Sequence, residues 1–322
     1  MFTKAIYQTI LKAKIKVIEK RLLQLIQSPS IPQTLHPILT EATKHGRRFR
    51  PLLLLVTHTG IGGNWRDAID LACAIELLHK ASLIHDDFID GDTLRRGIAT
   101  FWKTQGDKQA IIIGDVLIGL AFKTVSQWCR ANQPPNAIPI FEAFSNTLNE
   151  TALGELLDLQ FESSCSVDIK SIENMTLLKS GSLIAASMKI GALSGNAPLP
   201  LVETLTHLGW QTGVIFQMMN DMNDITGRDI HSKGGYGHDL VQKKKNIVTI
   251  TLEEAGISFE ELPNIPKTRL LEALKPVITE IDNRISQASE YVAKLPDNLM
   301  KKLFRKLLQE AKEEWFWIDL NE

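Results

Sequence analysis

Apolar residues recur three and four positions apart along almost the whole chain, as in ILKAKIKVIEKRLLQLI, and no segment alternates apolar and polar residues over a strand's length. This periodicity confines the chain to helix packed on helix, because a helix with one apolar stripe must bury it against a neighbour. The breaks are short: SPSIP at 28–32, GIGGN at 60–64, NQPPNAIP at 132–139, SGNAPLP at 194–200 and ELPNIPK at 261–267. Clusters of that length connect helices and are too brief to be domain linkers. The expected fold is all-α, a single large helical bundle over residues 1–322, with no repeat of fixed period.

Within that bundle, HDDFID at 85–90 and NDMND at 220–224 echo each other, each at the end of an apolar run in a separate half of the chain. On a helix, positions i and i+4 lie about 40° apart around the axis, so Asp86 and Asp90 project together with Asp87 beside them. An isolated DDxxD is most often a solvated acidic surface. Here ACAIELLHKASLIHDD is largely apolar up to the cluster, which reads as a buried helix delivering carboxylates to a cavity. Magnesium suits such a place, since it takes oxygen ligands and is typically held by one or two carboxylates together with substrate phosphates.

The overall charge of −1 and pI near 6.7 give no bias toward nucleic acid, so any anion site has to be local. Arg95 and Arg96 follow the first acidic cluster at once, and guanidinium groups bind phosphate oxygens as a fork. Upstream, KHGRRFRP places Gly46, Arg47, Arg48 and Arg50 where they could wrap a phosphate at a helix start. Carboxylates for a metal beside separate basic groups imply a diphosphate substrate, and room for two. Cys73, Cys129 and Cys165 are odd in number and far apart, which fits a reducing cytoplasm. The lysine-interrupted N-terminus reads as an amphipathic helix and not a secretory signal, and no transmembrane segment is expected.

In this order the motifs resemble the trans-polyprenyl diphosphate synthase family. HGRRFRP looks like that family's GKRxRP element with Arg47 for lysine, and ELLHKASLIHDDFIDGDTLRRG looks like its first aspartate-rich motif. GIATFWKTQGDKQAIIIGDVL is similar to the next segment, with Ala99 where proline is usual. GELLDLQF, LLKSGSL with Lys179 and Ser180, FQMMNDMND and SKGGYGHDLVQKKKN resemble the later elements. The resemblance implies the isoprenoid synthase fold, a homodimer, and two facing acidic motifs around a central cavity.

It also implies a reaction. Two or three Mg2+ ions held by Asp86, Asp90, Asn220, Asp221 and Asp224 would bind an allylic diphosphate, and isopentenyl diphosphate would attack the cation left by ionisation. By position, Arg95, Lys179, Ser180, Gln217, Lys233 and Lys244 would serve the allylic diphosphate, while Gly46, Arg47, Arg50, His79 and Arg96 would hold isopentenyl diphosphate.

The chain departs from the family at Asn220, which replaces an aspartate and removes one negative charge from the metal site, and at Asn246 and Val248, which replace threonine and proline. A class I terpene cyclase also starts by ionising a diphosphate, and Asn220 would suit one. Asp224 and Arg228 stand where such cyclases usually carry serine and glutamate, which disfavours that reading. Asn220 also keeps open a relative that prenylates another acceptor or regulates a partner synthase. A turn before the first aspartate, where shorter-chain relatives often carry an aromatic ring, stand Ala81 and Ser82, with Leu78 and Ile75 deeper. Small residues there imply a product of geranylgeranyl length or longer, unless residues around Phe141 to Phe144 close the tunnel.

Overall fold

The computed structural model describes residues 2–164, 166–226, 239, 242 and 244–316. These are helical almost throughout, apart from two strands of two residues each, β1 (Leu94–Arg95) and β2 (Ile98–Ala99), paired in one small sheet. The described residues sort into two compact units.

The first unit carries the chain to Thr93, then Ala99–Leu148 and Ala186–Glu203. It contains α1 (Phe2–Ile26), α2 (His36–Lys44), α3 (Phe49–Gly60), α4 (Ile69–Ile89), α5 (Phe101–Gln105), α6 (Asp107–Asn132) and the start of α7 (Ala137–Glu162). Every residue from Leu71 to Leu78 is buried, because α4 is apolar nearly all round and packs against α1, α2, α3 and α6. From His79 onward the burial becomes one-sided, with His79, Leu83, Asp86 and Asp90 half-buried along one face.

α6 is the one described helix that is, by length and composition alone, long and apolar enough to cross a bilayer. It lies along α4, close enough that a Cβ on Gly114 would overlap the His85 ring. At its other end Phe122 meets Phe141 and Phe144 edge-on, at centroid distances of 5.7 and 5.0 Å.

The second unit comprises Leu94–Ile98, Asn149–Ala185 and the described residues from Thr204 onward. It holds the rest of α7, α8 (Ile169–Thr176), most of α10 (Leu199–Thr226), α11 (Ile247–Glu254), α12 (Lys267–Ala293) and α13 (Leu299–Phe316). α9 (Ser182–Ser194) begins here and ends in the first unit. Between α8 and α9 the helix widens into a single π-turn at Leu177–Gly181. Ile172, Met175 and Ile250 form a local core where α8 and α11 meet.

Asn246 caps α11. Its side-chain oxygen accepts from the backbone N–H groups of Val248 and Thr249, at 3.0 and 2.9 Å, and Thr249 Oγ1 accepts from the Asn246 N–H in return. The departures at Asn246 and Val248 thus have a local role: one starts the helix and the other is a fully buried apolar residue within it.

Candidate active site

Two carboxylates close the C-terminal end of α4. A carboxylate oxygen of Asp86 lies within 4.8 Å of one from Asp90, the oxygen-only donor set a hard divalent cation requires. The last turn of α4 has no basic residue, so three aspartates sit at the negative end of a helix dipole with no cation on the same turn. Asp87 differs from its neighbours in being buried, and its carbonyl accepts from the Asp92 N–H at 2.9 Å.

Seven residues before Asp86, about two turns and 10 Å along the same face, is His79. Arg50 Nη1 lies 2.9 Å from His79 Nε2. A guanidinium can only donate, so the ring presents a lone pair at Nε2 and carries its proton on Nδ1. Arg50 belongs to the first turn of α3, and exposed Arg47 precedes it. The structure therefore brings Arg50 to His79 within the first unit.

Arg48 behaves differently from its neighbours. It is 3% exposed, and its guanidinium is spent on Glu76 and on backbone carbonyls. The reading that Arg48 wraps a phosphate is thereby corrected: a side chain sealed into a buried ion pair has no donor directed to solvent.

Past α4, the Asp92 carbonyl accepts from Thr100 Oγ1 and Trp102 Nε1, both at 2.7 Å, which pins the two ends of the following loop together. Between them Arg96 and Gly97 take φ of 54° and 73°, the left-handed pair of a two-residue hairpin turn joining β1 to β2. Arg95 is half-buried in β1 and Arg96 is exposed at the turn.

In the second unit most of the expected residues fall into local hydrogen-bonded and ion-paired groups. Lys179 Nζ, carried on the π-turn, donates to Asp158 Oδ2 at 2.6 Å and pairs with Glu155 Oε2 at 2.9 Å. Lys244 Nζ is 3.9 Å from the same Asp158 oxygen, while Lys245 turns away to Glu253 at 2.7 Å. Ser180 Oγ donates to Gln217 Oε1 and Gln217 Nε2 to Asp221 Oδ1, both at 2.8 Å. Asp224 Oδ2 accepts from the Asp239 N–H at 3.0 Å, and Asp239 Oδ2 from Asn246 Nδ2 at 3.0 Å. Gln217, Asp221 and Asp224 share a face of α10 by their spacing of four and three. Asn220 is exposed beside them.

Glycines make these groups possible. A Cβ on Gly213 would lie 2.5 Å from Gly181 Cα, so α10 crosses the π-turn at near backbone contact and Gln217, one turn on, reaches Ser180. A Cβ on Gly154 would lie 2.6 Å from Lys179 Cα, which places α7 against the other side. Gly154→Ala is expected to lower stability by about 2 kcal/mol despite alanine's better helix propensity, since the obstacle is backbone and cannot rotate away. A chemical denaturation midpoint measures it, and an unchanged midpoint would show that α7 can retreat.

Glu155 and Asp158 were not singled out from the sequence, although GELLDLQF places them at i and i+3 on a helix, the signal that could have found them. Lys233, Arg228, Cys165 and the residues at 317–322 lie outside the described residues. Ser82 is half-buried, with its hydroxyl donating to the His79 carbonyl at 2.9 Å, whereas Ala81, Leu78 and Ile75 are fully buried or nearly so.

Comparison with known proteins adds to this geometry. Residues 32–269 match the model of the family described as polyprenyl synthetase. The chain is 34% identical over 215 residues to a geranylgeranyl diphosphate synthase of Methanosarcina mazei, a match covering 67% of this chain and 66% of that enzyme. It is 34% identical over 217 residues to a geranylfarnesyl diphosphate synthase of Aeropyrum pernix, covering 66% and 68% of the two. Among solved structures, the geranylgeranyl pyrophosphate synthetase of Geoglobus acetivorans superposes with a TM-score of 0.80 over 94% of this chain and 99% of that one, at 25% identity.

Proposed function

Because the chain belongs to the polyprenyl synthetase family, we propose that it is a prenyltransferase that joins an allylic diphosphate head to tail with isopentenyl diphosphate and releases diphosphate. The observation that carries this reading lies along one face of α4: the carboxylate pair at Asp86 and Asp90 and, two turns earlier, His79, which Arg50 of α3 meets to make a separate basic site. Two anion sites of different chemistry suit two diphosphates. The named relatives are chain-elongating synthases, and a cyclase or an acceptor-prenylating enzyme is not favoured.

The carboxylate oxygens of Asp86 and Asp90, with Asp221 and Asp224 of the second motif, are the groups that would hold Mg2+, two or three ions in all. Bound there, the metal supplies Lewis-acid stabilisation of the charge that develops on the leaving diphosphate. Asn220 offers an oxygen without a charge.

In this reading Arg95, Lys179, Lys244 and Lys233 hold the allylic diphosphate, with Ser180 and Gln217 placing donors and acceptors between Lys179 and Asp221. Glu155 and Asp158 keep the Lys179 ammonium fixed before substrate arrives. Gly46, Arg47, Arg50, His79 and Arg96 bind isopentenyl diphosphate. The allylic C–O bond breaks with its electron pair leaving on diphosphate, and the basic groups offset that charge. The double bond of isopentenyl diphosphate attacks the allylic carbon, the new C–C bond forms, and a proton passes to the released diphosphate. The whole of 1–322 acts as one synthase domain, and the product is of geranylgeranyl length or similar.

A cytoplasmic homodimer is part of this reading. Supporting it are the free thiols Cys73 and Cys129 and the apolar stripe on α6, where Ile111, Ile112 and Val116 are 43%, 59% and 38% exposed. The test is incubation with Mg2+, labelled isopentenyl diphosphate and each of dimethylallyl, geranyl, farnesyl and geranylgeranyl diphosphate, followed by chain-length analysis. A ladder ending at one length is expected. No incorporation by a folded sample that still releases diphosphate would overturn elongation.

A further inference from the structure

Between α2 and α3 the chain makes one sharp step. Arg48 adopts φ 55° and ψ 30°, a left-handed conformation that a residue with a side chain takes only when its surroundings hold it there. Its guanidinium supplies the hold. Nη2 donates to the carbonyls of Thr43 and Lys44 at 2.8 and 3.0 Å, satisfying the open C-terminal end of α2. Nη1 donates to the His45 carbonyl at 3.1 Å and to Glu76 Oε1 at 2.7 Å. Lys80, one turn after Glu76 on α4, donates to the same His45 carbonyl.

Nothing in this arrangement is loose. The side chains of Arg48 and Glu76 are each 2% exposed. Gly46 has φ 141°, and a Cβ there would stand 3.0 Å from Arg48 Nη1 and 3.2 Å from Glu76 Oε1, so the buried pair and the glycine require each other. A buried ion pair is seldom a source of net stability, because desolvation of two charges offsets their attraction. What it does here is geometric. Glu76 lies three residues before His79 on a helix buried all round, so the helix that carries His79 also fixes the loop that carries Arg47 and the helix start that carries Arg50.

We propose that Arg48 and Glu76 are positioning residues for isopentenyl diphosphate: their buried pair sets the left-handed step that leaves Arg47 exposed and brings Arg50 to His79, and so fixes affinity for the second diphosphate without touching it. This rests on the prenyltransferase reading above. A pair serving only to hold the fold together would, when broken, reduce the folded fraction and weaken both substrates alike. A positioning pair weakens one.

The test uses the full chain and two variants, Glu76→Gln, which removes the charge at constant shape, and Arg48→Lys, which keeps the buried charges balanced but has three donors for the four acceptors that Arg48 serves, Glu76 and three carbonyls. Binding of isopentenyl diphosphate alone, where no turnover is possible, and of farnesyl thiolodiphosphate, which does not ionise, is measured by calorimetry beside a thermal melt. Both variants are expected to bind isopentenyl diphosphate about tenfold more weakly or worse, with the farnesyl analogue within about twofold of the unmodified chain. Should Glu76→Gln not fold, Arg48→Lys carries the comparison. Parallel weakening of both ligands, or unchanged binding of isopentenyl diphosphate, overturns the positioning role alone. Absence of isopentenyl diphosphate binding by the unmodified chain overturns the functional reading and this inference with it.

Discussion

Replacing Asp86 with asparagine is expected to lower kcat by about a thousandfold in a chain that still folds. The loss follows from what the carboxylate would do: it would hold the cation that offsets the charge developing on the leaving diphosphate, and losing such stabilisation costs about two to three orders of magnitude. Asparagine keeps the shape of the side chain and removes its charge, so on a folded chain the change is read in catalysis. Asp90→Asn should behave alike, and the double variant should cost far less than the product of the two, since the pair acts as one site. Isopentenyl diphosphate binding at His79 and Arg50 should survive in all three. Activity within tenfold of the unmodified enzyme would remove Asp86 from the reaction.

The site was legible because its residue types and spacing carry the chemistry: HDDFID sets two carboxylates four residues apart at the end of an apolar run, which puts them on one helix face. The helices were legible for an equally simple reason, since one periodicity runs the length of the chain. Local deviations from it were not. The π-turn at Leu177–Gly181 leaves no mark in composition, because one extra residue in a turn shifts the apolar register by less than a short segment can reveal.

Arg48 was illegible for another reason. In HGRRFRP the three arginines are equivalent as letters, and only the left-handed backbone at the middle one separates the buried clamp from its two more exposed neighbours. Asn246 carried a readable signal that went unused, for N-x-x-T ahead of an apolar run is a capping box, and the structure forms it. The hairpin after Asp92 was missed because strands of two residues are too short to alternate, although Arg96 and Gly97 have the composition of a tight turn.

Chain length gives the second large effect, and it separates positions that the sequence left together. Ser82 lies four residues before Asp86, about 40° round and 6 Å deeper along α4, so it shares the face that carries the carboxylates and His79. Ala81 lies about 140° round from Asp86 and is fully buried. Leu78 and Ile75 are also buried, at 2% and 0% exposure, and stand one to two turns deeper than Ser82. A ring at Ser82 is therefore the change that most directly narrows the face on which the hydrocarbon would grow. The serine hydroxyl bonds only the carbonyl one turn back, so its loss breaks no link to another helix. Ser82→Phe is expected to end the product ladder at least one isoprene unit earlier, with the first condensation and the affinity for isopentenyl diphosphate little changed. Chain-length analysis of the dephosphorylated products decides it. An unchanged ladder from a folded variant would mean that growth is stopped elsewhere, and the cluster of Phe122, Phe141 and Phe144 in the same unit would become the place to look.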